Sequence, residues 1–201
     1  MQSLEIAVFE AADPDGFAHK QAKLHRTLAS SFDGYIGSLG LRSLSEPMVY
    51  VDAVLWESTE KATVAADAAQ ASKEFAWFRD ELAAIRFFDH LTPAREATAS
   101  LAAVGAAEVV EVALVKPSGL EGFAAAHSEL HRALRAADVV VEELRLEVNK
   151  NGVGGDLNGW THPTAMEEFA PKMMARPDLA PMFDPENEVL LFMPFETNFA
   201  S

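Results

Sequence analysis

Apolar and polar residues alternate over 4–10, which puts Leu4, Ile6 and Val8 on one face of a predicted strand. Asp13-Pro14-Asp15-Gly16 breaks that strand and starts a helix. The period then changes. Phe17, Gln21, Leu24 and Leu28 fall on one helical face, at spacings of four, three and four. Phe32-Asp33-Gly34 ends the helix, and 35–43 is a glycine-containing strand. Ser45-Glu46-Pro47 turns the chain into a strong strand over 48–56. Ser58 or Thr59 caps an alanine-rich helix at about 60–70, with Glu60 near its positive end. A helical stretch over 72–83 carries Phe75, Phe78 and Leu82 on one side, and 85–91 is a strand. The predicted order is βαββαβ.

The order recurs in the second half. Residues 108–115 read as a strand, and 119–136 as a helix with Phe123, His127, Leu130 and Leu134 on one face. Over 139–148, Val140, Leu144, Leu146 and Val148 share one strand face, with charges opposite. Asn151-Gly152 signals a hairpin turn, and 157–160 is a short, weak third strand. Gly152-Val153-Gly154-Gly155 reads as a flexible hairpin, since it lacks the Lys-Ser/Thr of a phosphate loop. A helix over 164–175 follows Pro163, a proline-rich stretch covers 177–183, and 189–195 is the last strand. The halves also match in sequence. At an offset of 106, residues 16–28 and 122–134 share seven of thirteen positions, including Leu-His-Arg. Trp56 and Trp160 each end a third strand. The expected units are 1–98 and 108–201, joined by an alanine-rich connector at 99–107.

A βαββαβ unit forms a four-stranded antiparallel sheet with two helices on one face. Its other face is apolar here and needs a cover, which a second unit in the same chain supplies. The fold class is therefore α+β. The run Val49-Tyr50-Val51-Asp52-Ala53-Val54-Leu55-Trp56-Glu57-Ser58-Thr59-Glu60-Lys61-Ala62, followed by the aromatic-rich stretch from Phe75 to Leu82, carries a family resemblance. It resembles the dimeric α+β barrel superfamily, and within it the antibiotic-biosynthesis-monooxygenase-like domain. Trp160-Thr161-His162-Pro163-Thr164-Ala165-Met166 keeps the outline of that pattern. The resemblance implies two ferredoxin-like halves whose antiparallel sheets pack as an intrachain pseudo-dimeric barrel. It also implies a small-molecule monooxygenase acting on an aromatic or quinol-like substrate in a helix–sheet cavity, without a dedicated cofactor. Haem binding is an alternative that the superfamily contains. Related haem-degrading domains carry their ligand on the second helix of the unit. There is no histidine between Glu60 and Ala83, and His162 only precedes the second helix of half two. A third reading is a non-enzymatic binding or stress-related module for an apolar metabolite.

Composition narrows the picture. The chain has 201 residues, 49% hydrophobic and 23% charged, which suits a folded globular protein. It has no cysteine, so disulfides, thiolate metal sites and cysteine nucleophiles are excluded. A net charge of −15 disfavours nucleic acid and anionic membranes as partners. No apolar run approaches a membrane span, and Met1-Gln2-Ser3-Leu4-Glu5 has no basic or apolar leader character. The expectation is a cytoplasmic protein that binds a small apolar or aromatic molecule, as a monomeric pseudo-dimer or a homodimer.

His25 and His131 occupy matching repeat positions and suit a general base for a phenolic substrate. The competing reading is a helix-face histidine inherited through duplication. His127 and His131 stand four residues apart on one helical face, the spacing a divalent metal uses. Half one has Gln21 in place of His127 and no third ligand is evident, so no metal centre is expected. Arg26 and Arg132 are candidates to steady an anionic ligand, or surface partners of nearby acids. Trp56 and Trp160 are candidates to flank a flat ring, with His162 at a pocket edge, or are core plugs. No Gly-x-Ser-x-Gly elbow and no dinucleotide fingerprint occurs.

Overall fold

Leu4, Ile6 and Val8 face one way, Phe9 and Ala11 the other, and this division organises the molecule. The computed structural model describes residues 1–200. Half one comprises β1 (Ser3–Ala11), α1 (Phe17–Ser31), β2 (Tyr35–Ser43), β3 (Val49–Trp56), α2 (Thr59–Ala71), a short α3 (Ala76–Arg79) and β4 (Leu82–Pro93). α4 (Thr98–Gly105) connects the halves. Half two comprises β5 (Val109–Lys116), α5 (Leu120–Ala137), β6 (Val140–Glu147), β7 (Gly154–Trp160), α6 (Ala165–Met174) and β8 (Glu188–Ala200). Both halves thus repeat the predicted order.

The eight strands close into one antiparallel barrel, in the order β1-β3-β2-β8-β5-β7-β6-β4. The halves are joined at β2–β8, and at β4–β6 through Thr92↔Glu147 and Pro93↔Leu146. Closure leaves neither sheet with an open edge. The barrel interior is a single apolar cluster. Ile6, Val51 and Leu55 meet Val112, Leu144 and Leu157 there, all fully buried. An eight-stranded barrel is just wide enough for side chains to fill. α4 adds Leu101 and Val104 to the same cluster. On the outer face, each half buries a separate cluster between its sheet and its helices.

Four expectations change. The stretch over 72–83 is helical only as a 3-10 turn, Lys73–Phe75, and α3. Leu82 belongs to β4 instead, because it pairs with Ala11 of β1, and just past that strand Ala12 N–H donates to the Glu81 carbonyl at 2.8 Å. The third strand of half two starts at Gly154, not at 157. Gly155, one of the glycines that suggested flexibility, is needed there, since a Cβ on it would lie 1.9 Å from the Ala113 carbonyl oxygen. Val140 does not share a face with Leu144. A register shift between Val140 and Glu142 turns it into the helix-side cluster. The last strand runs to Ala200, because its end pairs with β2 of the other half.

Candidate functional site

In half one, α1 turns Gln21, Leu24, His25 and Leu28 toward the sheet. β3 answers with Asp52, whose alternation places it on the helix side with Tyr50, Val54 and Trp56. His25 Nε2 lies 2.8 Å from Asp52 Oδ1. Gln21 Nε2 donates to the same oxygen at 2.7 Å and to the Val51 carbonyl at 3.0 Å. Asn198 of β8 donates to Gln21 Oε1 at 2.9 Å, tying the dyad to the other half. Asp52 also borders a cavity of about 170 Å³ walled by apolar groups such as Phe9, Leu28, Phe75 and Phe78. Glu5, Gln70 and Arg79 are the other polar side chains in its lining. Glu5 is itself 3.1 Å from His90 Nε2.

Half two repeats the arrangement with more polar residues. Asp156 stands four residues before Trp160, as Asp52 does before Trp56. Its Oδ1 meets both His127 Nε2, at 2.6 Å, and His131 Nε2. His131 Nδ1 faces Glu143 Oε1 at 3.6 Å, and Arg135 pairs with that same oxygen. Asn158, on the strand face of Asp156, donates to Glu111 Oε1 at 3.2 Å. All of these except Arg135 are buried.

Burial would push the His131 imidazolium down, but the carboxylates of Asp156 and Glu143 outweigh it and hold its pKa at about 9. Burial works to raise Asp156, yet the two histidines keep it well below the usual carboxylate range. Glu111 has no such compensation. Its burial, with Asp156 nearby, pushes it up to about 7 against the Asn158 hydrogen bond. A groove of about 320 Å³ reaches His131 and Glu143 from outside, rimmed by Arg95, Arg132, Arg135 and Arg145.

The sequence-predicted residues separate into three groups. His25, His127 and His131 are buried and converge on aspartates. Trp56 and Trp160 are buried in the helix-side clusters, packed on Tyr35 and Phe169, and line neither the cavity nor the groove. Arg26 is exposed on α1, Arg132 pairs with Glu129 on the groove rim, and exposed His162 lies 3.0 Å from Thr164 Oγ1. Sequence reasoning missed Asp52, Asp156, Glu111 and Glu143. The shared Asp-x-x-x-Trp ending of the third strands is the signal that marks the aspartates.

No protein-family model matches the chain, and no curated protein does. Solved structures match over its full length. A putative monooxygenase from Lactobacillus acidophilus is 9% identical, with a TM-score of 0.64, covering 100% of this chain and 95% of that one. An anthrone oxidase-like protein is 12% identical, with a TM-score of 0.61, covering 100% and 92%. A haem-binding protein from Thermus thermophilus is 11% identical, with a TM-score of 0.57, covering 98% and 90%. The chain has the dimeric α+β barrel fold. Both halves of that barrel lie in one polypeptide. At such identities the likeness carries the fold and not the activity.

Haem is the group this dimeric α+β barrel fold brings into question, and the residues do not fit it. The half-one cavity has no histidine in its lining and is close to the ~150 Å³ that holds a single benzene ring. His131 reaches the half-two groove, but its Nε2 is committed to Asp156 among charged walls. No helix among the described residues is long and apolar enough to cross a membrane.

Proposed function

We propose that the protein is a small-molecule monooxygenase that oxidises a phenolic or quinol-like aromatic substrate in the half-one cavity. The supporting observation is the His25–Asp52 dyad set at the wall of an apolar cavity. The cavity's size suits one substituted ring, with further rings projecting through its mouth. Asp52 is the group that touches substrate and takes the phenolic proton. His25 orients the carboxylate and shares that proton through their hydrogen bond. The ionised ring carries its charge onto an activated CH₂ carbon, which reacts with dioxygen. One oxygen atom becomes the carbonyl and the other leaves as water with the two hydrogens. The substrate supplies all four electrons, so no external reductant is required. The apolar lining excludes water from the anion.

Oxygen uptake on a panel of one- to three-ring phenols bearing an activated CH₂ tests this. Asp52→Asn is expected to lower the rate at least about 100-fold, the usual scale of general base catalysis. His25→Ala should follow it, while Glu111→Gln leaves the rate unchanged. An unaltered rate in Asp52→Asn removes the proposal. The near-complete burial of Asp52 favours a second reading, a module that binds an apolar metabolite without transforming it. Stoichiometric binding of a panel compound with no oxygen consumption would establish that reading instead.

A further inference from the structure

The half-two cluster has features that the half-one dyad lacks. Its three donor atoms, His127 Nε2, His131 Nε2 and a carboxylate oxygen of Asp156, lie within 4.8 Å of one another. They come from one face of α5 and from the facing strand β7. Both imidazoles point the same nitrogen at the same oxygen, with ring centroids 4.9 Å apart. Without a cation, one oxygen must accept from two N–H groups. A divalent cation would replace both protons and neutralise the buried carboxylate.

A carboxylate stands behind one of the two histidines. The remote nitrogen of His131 is buried 3.6 Å from Glu143 Oε1, just beyond hydrogen-bond length, and Glu143 is fixed in turn by Arg135. A carboxylate behind a ligating histidine is the usual outer partner in metal sites. An independent sign lies on the same strand. Asn158 Oδ1, two residues from Asp156 on its face of β7, is buried without a hydrogen-bond partner, whereas the indole nitrogens of Trp56 and Trp160 are unpartnered in both halves alike. An orphaned acceptor such as that of Asn158 marks a place for water or ligand. Half one serves as an internal control. Gln21 replaces His127 there and satisfies Asp52 as a neutral donor, and Val54 stands where Asn158 does.

We propose that half two binds one divalent first-row transition ion through His127, His131 and Asp156, with Glu143 as the outer partner of His131. Two imidazoles and one carboxylate suit zinc or ferrous iron rather than calcium or magnesium. Three protein ligands leave room for a water held by Asn158. The site stands independently of any oxidation in half one.

The test titrates chelator-stripped full-length protein with cobalt(II) alone and then with zinc(II). One equivalent of cobalt should give visible ligand-field bands, which zinc abolishes. His127→Gln, which copies half one, should weaken binding at least about 100-fold, and Glu143→Ala about 10–100-fold. His19→Ala, an exposed histidine on α1, should leave affinity unchanged. Absence of cobalt bands in the wild type, or equal affinity in a folded His127→Gln, overturns the proposal. X-ray absorption of the zinc-loaded wild type needs no variant. Two imidazoles in the zinc shell support the site, and an oxygen-only or single-imidazole shell refutes it.

Discussion

Glu111 illustrates how far one side chain's surroundings alter its chemistry. It sits on the helix side of β5, opposite Asn158, with a pKa of about 7. The folded state holds its proton more tightly than the unfolded chain does. Below about pH 4.5 both states are protonated and Glu111 has no effect on stability. As pH rises toward 7, the unfolded state gains by ionising first, so stability falls by roughly 3 kcal/mol. Urea unfolding of metal-free protein checks this. Glu111→Gln should gain stability relative to the wild type on going from pH 5 to pH 7. An equal difference at both pH values would mean that the carboxyl is not raised. Its repeat counterpart, Glu5, lies 3.1 Å from His90 Nε2 at the same register.

Among the elements, β7 is held by a close approach to its neighbour β5. Gly155 lets β7 pass close to the Ala113 carbonyl of β5, where no side chain fits. Gly155→Ala should cost more than about 3 kcal/mol, since the obstacle is backbone and neither strand can withdraw without breaking the ladder. Gly152, in the preceding turn, has a φ of +78° and open space around it. Gly152→Ala should cost only about 1–2 kcal/mol, the price of a left-handed backbone. Thermal unfolding of the two variants should rank them in that order. The reverse order would mean that the turn, and not the strand approach, limits β7. α3 makes a related point. Its aromatic spacing is helical, yet pairing of Leu82 with Ala11 of β1, and of Glu81 with Ala12 just beyond it, ends it after one turn.

At the scale of the molecule, the barrel interior belongs to neither half. Leu4, Leu39 and Leu91 pack in one cluster with Val110, Leu144 and Leu191. Each half alone would expose that apolar sheet face and two unpaired edges. Chains cut at Ala106 and produced separately are expected to dimerise or aggregate, and to restore a 1:1 complex when mixed. Sedimentation analysis reads the outcome, and two stable monomers would contradict it. The charge of −15 and the groove lined by four arginines also belong to this scale, since the groove collects most of its positive charge from α5, β6 and the segment after β4.

The sequence by itself determined the repeat, the βαββαβ order and the apolar faces. These depend on periodicity, which local geometry imposes at spacings of 2 and 3.6 residues. It also identified His25, His127 and His131 through the shared Leu-His-Arg and the one-turn spacing. Only the tertiary structure decided what those histidines meet. Asp52 lies inside an apolar strand, and Asp156 follows a glycine cluster that resembles a loop, so neither stands out locally. The second half is two residues shorter between its histidine and its aspartate, so an ungapped alignment of the repeats never brings the aspartates together. Packing of a helix on a strand closes that difference, because it is set by distance in space and not by count along the chain. The same holds for barrel closure, the bulge at Val140 and the place of Gly155, each of which depends on a strand distant in sequence.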